Sequence, residues 1–229
     1  AFDGDADRLG VVDETGTIIW ADQLLVLLAR DVLRTRPGAT IIADVKASQI
    51  LFDEIARAGG TPLMWKSGHS PIKTRMAETD ALLAGEMSGH FFFADHWYGF
   101  DDALYAAVRV LEMVSHLKTP LSALRTALPA RVSTPELRFD CPESRKFAVI
   151  AEVAARLEKT GATVCAMEGG RGSPPEGGGP LRASNTQAAL TARAEGTTGT
   201  ALARLQAELC AQLAQSGIAA PDFTEAGNN

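Results

Sequence analysis

Three carboxylates at alternate positions, Asp3, Asp5 and Asp7, followed at once by the guanidinium of Arg8, are the residues of this chain best placed to do chemistry. In an extended segment the alternation would put all three acids on one face, with Gly4 and Ala6 on the other. In a loop, Gly4 would let the acids converge. Either way they can share one hard cation. Neighbouring carboxylates repel and raise one another's pKa values, and a divalent ion relieves that repulsion. An all-oxygen donor set favours Mg²⁺ over zinc. The same residues also suit an Asp-rich turn ahead of a hairpin. Arg8 tips the balance toward a site, because an arginine held beside a metal suggests a phosphate between them.

Further polar residues gather where strands are expected to end. Thr40 to Val45, Thr61 to Trp65 and Ala81 to Ala84 read as short apolar strands, separated by helices from Ser48 to Ala58 and from Ser70 to about Glu78. Strand, helix, strand, helix, strand with apolar strands predicts right-handed βαβ units and a parallel sheet buried on both faces. Ligands of such sheets bind beyond the carboxyl ends of the strands. Lys46 follows the first strand, Lys66, Ser67, Gly68 and His69 the second, and Glu86, Met87, Ser88, Gly89 and His90 the third. A lone lysine or histidine in a loop is ordinarily a solvated surface residue. Three loaded strand ends in succession suit a phosphorylated, hydroxyl-rich ligand instead.

The elements that must hold these residues follow in order. Leu9 to Val12 and Thr17 to Trp20 predict a hairpin turning at Gly16. Asp22 is the expected cap of a helix carrying Leu24, Leu25, Leu28 and Val32, stopped by Pro37 and Gly38. Ser70 and Pro71 read as the cap and first residue of their helix. Phe91 to Phe93 should be core, and Trp97, Tyr98 and Phe100 an aromatic loop better suited to packing than to stacking on a ligand. Asp101 is the expected cap of a helix through His116. Thr119 and Pro120 start a short one, and Pro129 ends the unit. His96 and His116 carry no signal.

From Val132 the pattern changes. A strand to Phe139, a helix from about Glu143 to Lys159, strands at Thr163 to Met167, Pro180 to Ala183 and Ala188 to Ala194, and a helix from Thr200 to Gln215 predict a small α+β domain with a mostly antiparallel sheet. The overall class is α/β, a parallel βαβ domain followed by this α+β domain. Gly169 to Gly179 reads as a mobile Gly- and Pro-rich loop, and it lacks the lysine and hydroxyl residue that end a P-loop. Arg182, Ser184, Asn185 and Thr186 could surround a phosphate at a strand-to-loop transition, although Ser and Asn are also ordinary turn residues. Pro221 to Asn229 should fray.

Composition narrows the classes. With 229 residues, 46% of them hydrophobic, the chain can build one or two cores. A net charge of −6 and a pI near 5.3 argue against a nucleic-acid partner. Cys141, Cys165 and Cys210 are too few and too scattered for a disulfide framework or a zinc site. No apolar run approaches bilayer length, and no signal-peptide pattern opens the chain. A cytoplasmic protein without a membrane partner is expected. Because the acidic motif begins two residues in and is followed at once by a strand, a fragment of a longer protein is expected as well.

Taken together, Asp3 to Arg8, Gly68 with His69, GEMSGH from Gly85 to His90 and RASNT from Arg182 to Thr186 resemble the α-D-phosphohexomutases, most closely the bacterial phosphomannomutase/phosphoglucomutase branch. The resemblance runs over nearly the whole chain. It implies four domains around one cleft, of which residues 1–20 would close the second, 21–129 form the third and 130–229 the fourth. It implies Mg²⁺ on Asp3, Asp5 and Asp7, with Arg8, Lys46 and His69 catalytic. Gly68, Glu86, Ser88 and His90 would hold the sugar, and Arg182, Ser184, Asn185 and Thr186 a phosphate. Glucose or mannose 1,6-bisphosphate would be the intermediate and activator, hexose phosphates the substrates, and a monomer the state. The family's phosphoserine motif is not among these residues, so the missing N-terminal domains would be partners and the chain alone inactive. The alternatives are a non-catalytic phosphosugar-binding protein and a phosphoglucosamine mutase. Ala188 stands where the family usually has proline after the phosphate loop.

Overall fold

The central strand of the first half is apolar on both faces, and the architecture follows from covering both. The computed structural model describes residues 1–159, 164–165, 170–172, 177–184, 187–219 and 223, and the chain divides into two units, Ala1–Pro129 and Ala130–Asn229.

In the first unit β1 (Val11–Val12) and β2 (Ile18–Ile19) form the expected antiparallel hairpin, with Gly16 at φ +83° in the turn. Asp13 organises that turn. Its buried carboxylate accepts bonds from the Thr15 hydroxyl at 2.6 Å, Arg125 Nε at 2.8 Å, Thr15 N at 2.9 Å and Thr17 N at 3.0 Å. The Thr15 hydroxyl foremost, followed by Arg125 and the two N–H donors, holds the carboxyl well below the usual carboxylate range against the opposing effect of burial.

The next elements are α1 (Ala21–Thr35), β3 (Thr40–Asp44), α2 (Gln49–Arg57), β4 (Thr61–Trp65), α3 (His69–Thr79), β5 (Leu83–Gly85), β6 (Phe91–Phe93), α4 (Ala103–Ser115) and α5 (Leu121–Thr126). Ser48 caps α2 as expected, its Oγ accepting from Ile50 N at 3.2 Å. Three other starts differ from expectation. The cap of α1 is Trp20, whose N–H donates to Gln23 Oε1 at 3.2 Å. Asp22 lies inside the first turn and accepts from Gln23 N at 2.9 Å and Ser48 N at 3.3 Å. Helix α3 starts before Ser70, with Gly68 at φ +114° as cap. Pro71 is tolerated there because first-turn N–H groups have no intrahelical partner. The cap of α4 is Asp102, accepting from Tyr105 N at 2.9 Å, which frees Asp101 for another role.

The sheet order is β4–β3–β5–β6. Strand β3 runs parallel to β4 and β5, and β6 adds an antiparallel edge that the βαβ pattern alone does not predict. Alternation along β3 divides the core. Ile41 and Ala43 pack with Leu24, Leu25, Leu28, Leu51 and Ile55 of α1 and α2, while Ile42 packs with Ile72 and Met76 of α3. In β6, Phe91 and Phe93 join the first cluster and Phe92 the second, all essentially inaccessible. The exposed loop aromatics pack on one another: Trp97 stacks on Tyr105 with centroids 4.3 Å apart, and Tyr98 on Phe100 at 6.0 Å.

The second unit comprises β7 (Val132–Ser133), β8 (Leu137–Asp140), α6 (Lys146–Lys159), β9 (Val164–Cys165), β10 (Gly170–Gly172), β11 (Gly177–Ala183), β12 (Ala189–Ala192), β13 (Glu195–Gly196) and α7 (Gly199–Gln215). All its strand pairs are antiparallel, as expected. The single strand expected from Val132 to Phe139 is two, interrupted around Pro135, which has no N–H for a ladder. Within the stretch from Gly169 to Gly179, expected as a mobile loop, residues 170–172 form β10 and residues 177–179 start β11, paired through Gly172 and Gly179; residues 169 and 173–176 lie outside the described residues. Val149, Val153, Leu181, Leu190 and Leu213 form the core. Except for Phe223, the tail expected to fray lies outside the described residues. Cys141 and Cys210 are free thiols, and no helix among the described residues is long and apolar enough to cross a membrane.

Two outcomes follow. Leu25→Ala, in the closely packed layer between α1 and the sheet, should destabilise the first unit by about 2–5 kcal/mol in urea unfolding; a loss below about 0.5 kcal/mol would contradict this packing. Asp13→Asn should lower the thermal midpoint at pH 7, where the native carboxylate is ionised and fully bonded. Because the folded pKa lies below the unfolded one, the difference should shrink as pH falls below 4 through the folded value, and a difference independent of pH would refute the assignment.

Candidate functional site

The acidic stretch is a loop, and the turn that closes it uses Ala6 at φ 60° where Gly4 was the expected pivot. Ala6 N donates to the Asp3 carbonyl at 3.3 Å, and the ends are pinned by Gly10 N to the Ala1 carbonyl at 2.8 Å. Carboxylate oxygens of Asp3, Asp5 and Asp7 lie within 4.8 Å of one another. Arg8 turns back onto its own acids. Its N–H donates to Asp3 Oδ1 at 3.2 Å, and its Nε lies 3.4 Å from Asp3 Oδ2 and 3.8 Å from Asp7 Oδ1. Three partly exposed oxygen donors, with one guanidinium as the nearest counter-charge, fit a hard divalent cation.

A backbone bond joins this loop to the sheet. Leu9 N donates to the Gly89 carbonyl at 3.0 Å, at the tip of the turn between β5 and β6. That turn is closed by Glu86 N to the His90 carbonyl and Gly89 N to the Glu86 carbonyl, each at 3.0 Å. Gly89 is at φ +96°, and a Cβ there would stand 3.3 Å from the Leu9 carbonyl, so the close approach also favours glycine. His90 is buried, with Nδ1 at 3.5 Å from Asp101 Oδ2 and 3.8 Å from Asp7 Oδ2. Lys73 Nζ lies 3.4 Å from the other oxygen of Asp101. Asp7, His90 and Asp101 form a second close group of possible ligands.

Beneath these groups are two buried carboxylates. Asp44 ends β3 and is 1% exposed. Its Oδ2 accepts from Ser67 Oγ at 3.2 Å and its Oδ1 from Met87 N at 3.4 Å. Glu86 Oε1 accepts from Gly68 N at 2.6 Å. Burial pushes the Asp44 carboxyl up to about 6; Lys46 opposes the shift, and Glu86 adds to it. Ser88 and His69 are exposed, Lys46 and Gly68 half-buried. Asp44, Asp101 and Lys73 were missed in the sequence reading. A single acid closing an apolar strand was the only signal for Asp44.

In the second unit Arg182 lies on β11 opposite Thr191 of β12. Ser184 follows it, buried, with its N–H donating to the Ala189 carbonyl at 2.9 Å. The buried Lys146 ammonium donates to the Ser184 carbonyl at 2.7 Å and the Gln187 carbonyl at 3.4 Å. Asn185 and Thr186 lie outside the described residues.

Comparison with known proteins gives a consistent result. The model of the phosphoglucomutase/phosphomannomutase alpha/beta/alpha domain III matches residues 20–132, and that of the phosphoglucomutase/phosphomannomutase C-terminal domain matches residues 130–212. A phosphomannomutase/phosphoglucomutase of Pseudomonas aeruginosa is 47% identical over 206 residues, covering 90% of this chain and 44% of that protein. A phosphoglucomutase of Neisseria gonorrhoeae is 50% identical over 208 residues, covering 90% of this chain and 45% of that protein. The crystal structure of a phosphoglucomutase/phosphomannomutase family protein from Burkholderia thailandensis superposes with a TM-score of 0.86 at 46% identity, covering 95% of this chain and 46% of that one. The chain thus spans about half the length of the relatives it matches. The two adjoining family matches, in the order of the two structural units, establish that the chain belongs to the phosphoglucomutase/phosphomannomutase family.

Proposed function

We propose that this chain supplies the sugar-binding and phosphate-binding parts of a phosphohexomutase that interconverts hexose 6-phosphates and hexose 1-phosphates of mannose and glucose. The observation that carries the reading is the continuity of the first unit's polar face. The acid loop is bonded to the Glu86–His90 turn through Leu9 and Gly89, and that turn to the start of α3 through Glu86 and Gly68. In the proposed reaction an enzyme phosphoserine, outside these 229 residues, phosphorylates the free hydroxyl of the sugar phosphate. The bisphosphorylated sugar turns over and returns its other phosphoryl group to the serine.

Phosphoryl transfer is catalysed chiefly by positioning and by neutralising charge, and the residues divide along those lines. Asp3, Asp5 and Asp7 would hold Mg²⁺, which when bound supplies charge neutralisation at the transferring phosphoryl group. Arg8 and Lys46 would add positive charge beside it. His69, exposed at the first residue of α3, would act as general base toward the attacking hydroxyl. Glu86, Ser88, His90 and the backbone at Gly68 would hold ring hydroxyls. Arg182, Ser184, Asn185 and Thr186 would clamp the phosphate that stays.

Purified residues 1–229 should bind mannose 1-phosphate or glucose 1-phosphate by calorimetry without turning them over. Glu86→Ala should weaken binding at least about tenfold, the effect of one lost charged hydrogen bond. Turnover at the rate of an intact mutase, or tighter binding of glucosamine 1-phosphate than of either hexose phosphate, would overturn this assignment. In a second test, Mn²⁺ used as a paramagnetic stand-in should bind weakly and lose at least about tenfold in affinity in Asp5→Asn but not in His69→Ala; equal affinity in Asp5→Asn and the unaltered chain would remove the metal from the acid loop.

A further inference from the structure

The loops after β4 and β5 flank the end of β3 without being neighbours in the sheet, since the order is β4–β3–β5. Adjacent strands lie about 4.8 Å apart, so β4 and β5 are separated by roughly 10 Å. Strand pairing holds each of them to β3 but leaves the loops beyond their ends free to shift relative to each other. A bridge must therefore pass over the end of β3.

Asp44 is the last residue of β3 and makes that bridge. One carboxylate oxygen takes the Ser67 hydroxyl from the loop after β4, and the other takes the Met87 N–H from the loop after β5. Glu86 crosses in the opposite sense, from the β5 loop to the Gly68 N–H in the β4 loop. We propose that Asp44 is a positioning residue whose two hydrogen bonds set the spacing between the Ser67–His69 and Glu86–His90 loops, and so fix Glu86 and His69 relative to a bound sugar phosphate. The proposal rests on reading these two loops as the sugar-binding loops.

The chemistry of the position supports a role beyond packing. The carboxylate is desolvated, faces Glu86 from the end of β5, and has the Lys46 ammonium two residues along its own strand end as its compensating charge. Its raised pKa means that folding is opposed by this group above about pH 6, and the opposition fades as pH falls toward the unfolded value near 4. An apolar side chain would avoid that cost and leave the Ser67 hydroxyl and the Met87 N–H without this acceptor.

Two variants of the full chain separate positioning from packing. Asp44→Asn can still accept from Met87 N and can donate to Ser67 Oγ; Asp44→Ala can do neither. Asp44→Asn should melt above the unaltered chain at pH 8, with the gap closing by about pH 4, and should bind glucose 1-phosphate within about threefold of it. Asp44→Ala should melt close to the unaltered chain at pH 8 and yet bind at least about tenfold more weakly. Hydrogen exchange gives a readout that needs no ligand: the Met87 and Gly68 amides should exchange at least about tenfold faster in Asp44→Ala than in Asp44→Asn, with Ile42 unchanged. Unchanged exchange at Met87 in Asp44→Ala, or an affinity loss in Asp44→Asn as large as in Asp44→Ala, would overturn the proposal. Failure of the unaltered chain to bind glucose 1-phosphate, with the exchange pattern as expected, would count against the sugar-binding reading and leave the bridge standing.

Discussion

Everything on the first unit's polar face depends on β3 being buried from both sides. Ile41 and Ala43 face the α1 and α2 layer, Ile42 faces α3, and all three are inaccessible to solvent. A strand so covered has no freedom to slip, because a shift of one residue would exchange its two faces. Its neighbours β4 and β5 take their registers from it, Ile42 standing opposite Leu63 on one side and Ala84 on the other. The three polar strand ends thereby begin at fixed heights, and the loops differ only in what happens beyond the last paired residue.

Beyond that residue electrostatics takes over, and two aspartates show how environment decides its sign. Asp13 and Asp44 are both buried. Asp13 collects two backbone N–H groups, a hydroxyl and a guanidinium, which favour its ionised form enough to hold its pKa far down. Asp44 has one hydroxyl and one N–H, with a second carboxylate nearby, and its pKa rises. Desolvation outweighs the few donors at Asp44, whereas the donors outweigh it at Asp13, and that balance separates a residue that stabilises its turn from one that costs stability where it stands.

The legibility of the sequence follows the same division between local and distant causes. Ser48 could be read as a cap because capping is a bond between near neighbours, and the hairpin at Gly16 likewise. Asp22 and Asp101 looked like caps by the same logic, but partners distant in sequence claim them: Ser48 in one case, His90 and Lys73 in the other. The glycines near β11 misled most. Their density suggested a loop, yet a Cβ on Gly177 would stand 2.1 Å from the Glu195 carbonyl oxygen and one on Gly179 1.8 Å from that of Arg193. Those glycines permit close strand approach, a purpose that composition does not distinguish from flexibility.

The two units brace their candidate loops with buried charges of opposite sign. In the first, the buried carboxylates of Asp44 and Glu86 gather the Ser67 hydroxyl and the N–H groups of Met87 and Gly68. In the second, the buried ammonium of Lys146 gathers the carbonyls of Ser184 and Gln187 at the two ends of the loop between them. A buried charge of either sign is costly to desolvate, and in each unit it acts on the backbone that frames the candidate site.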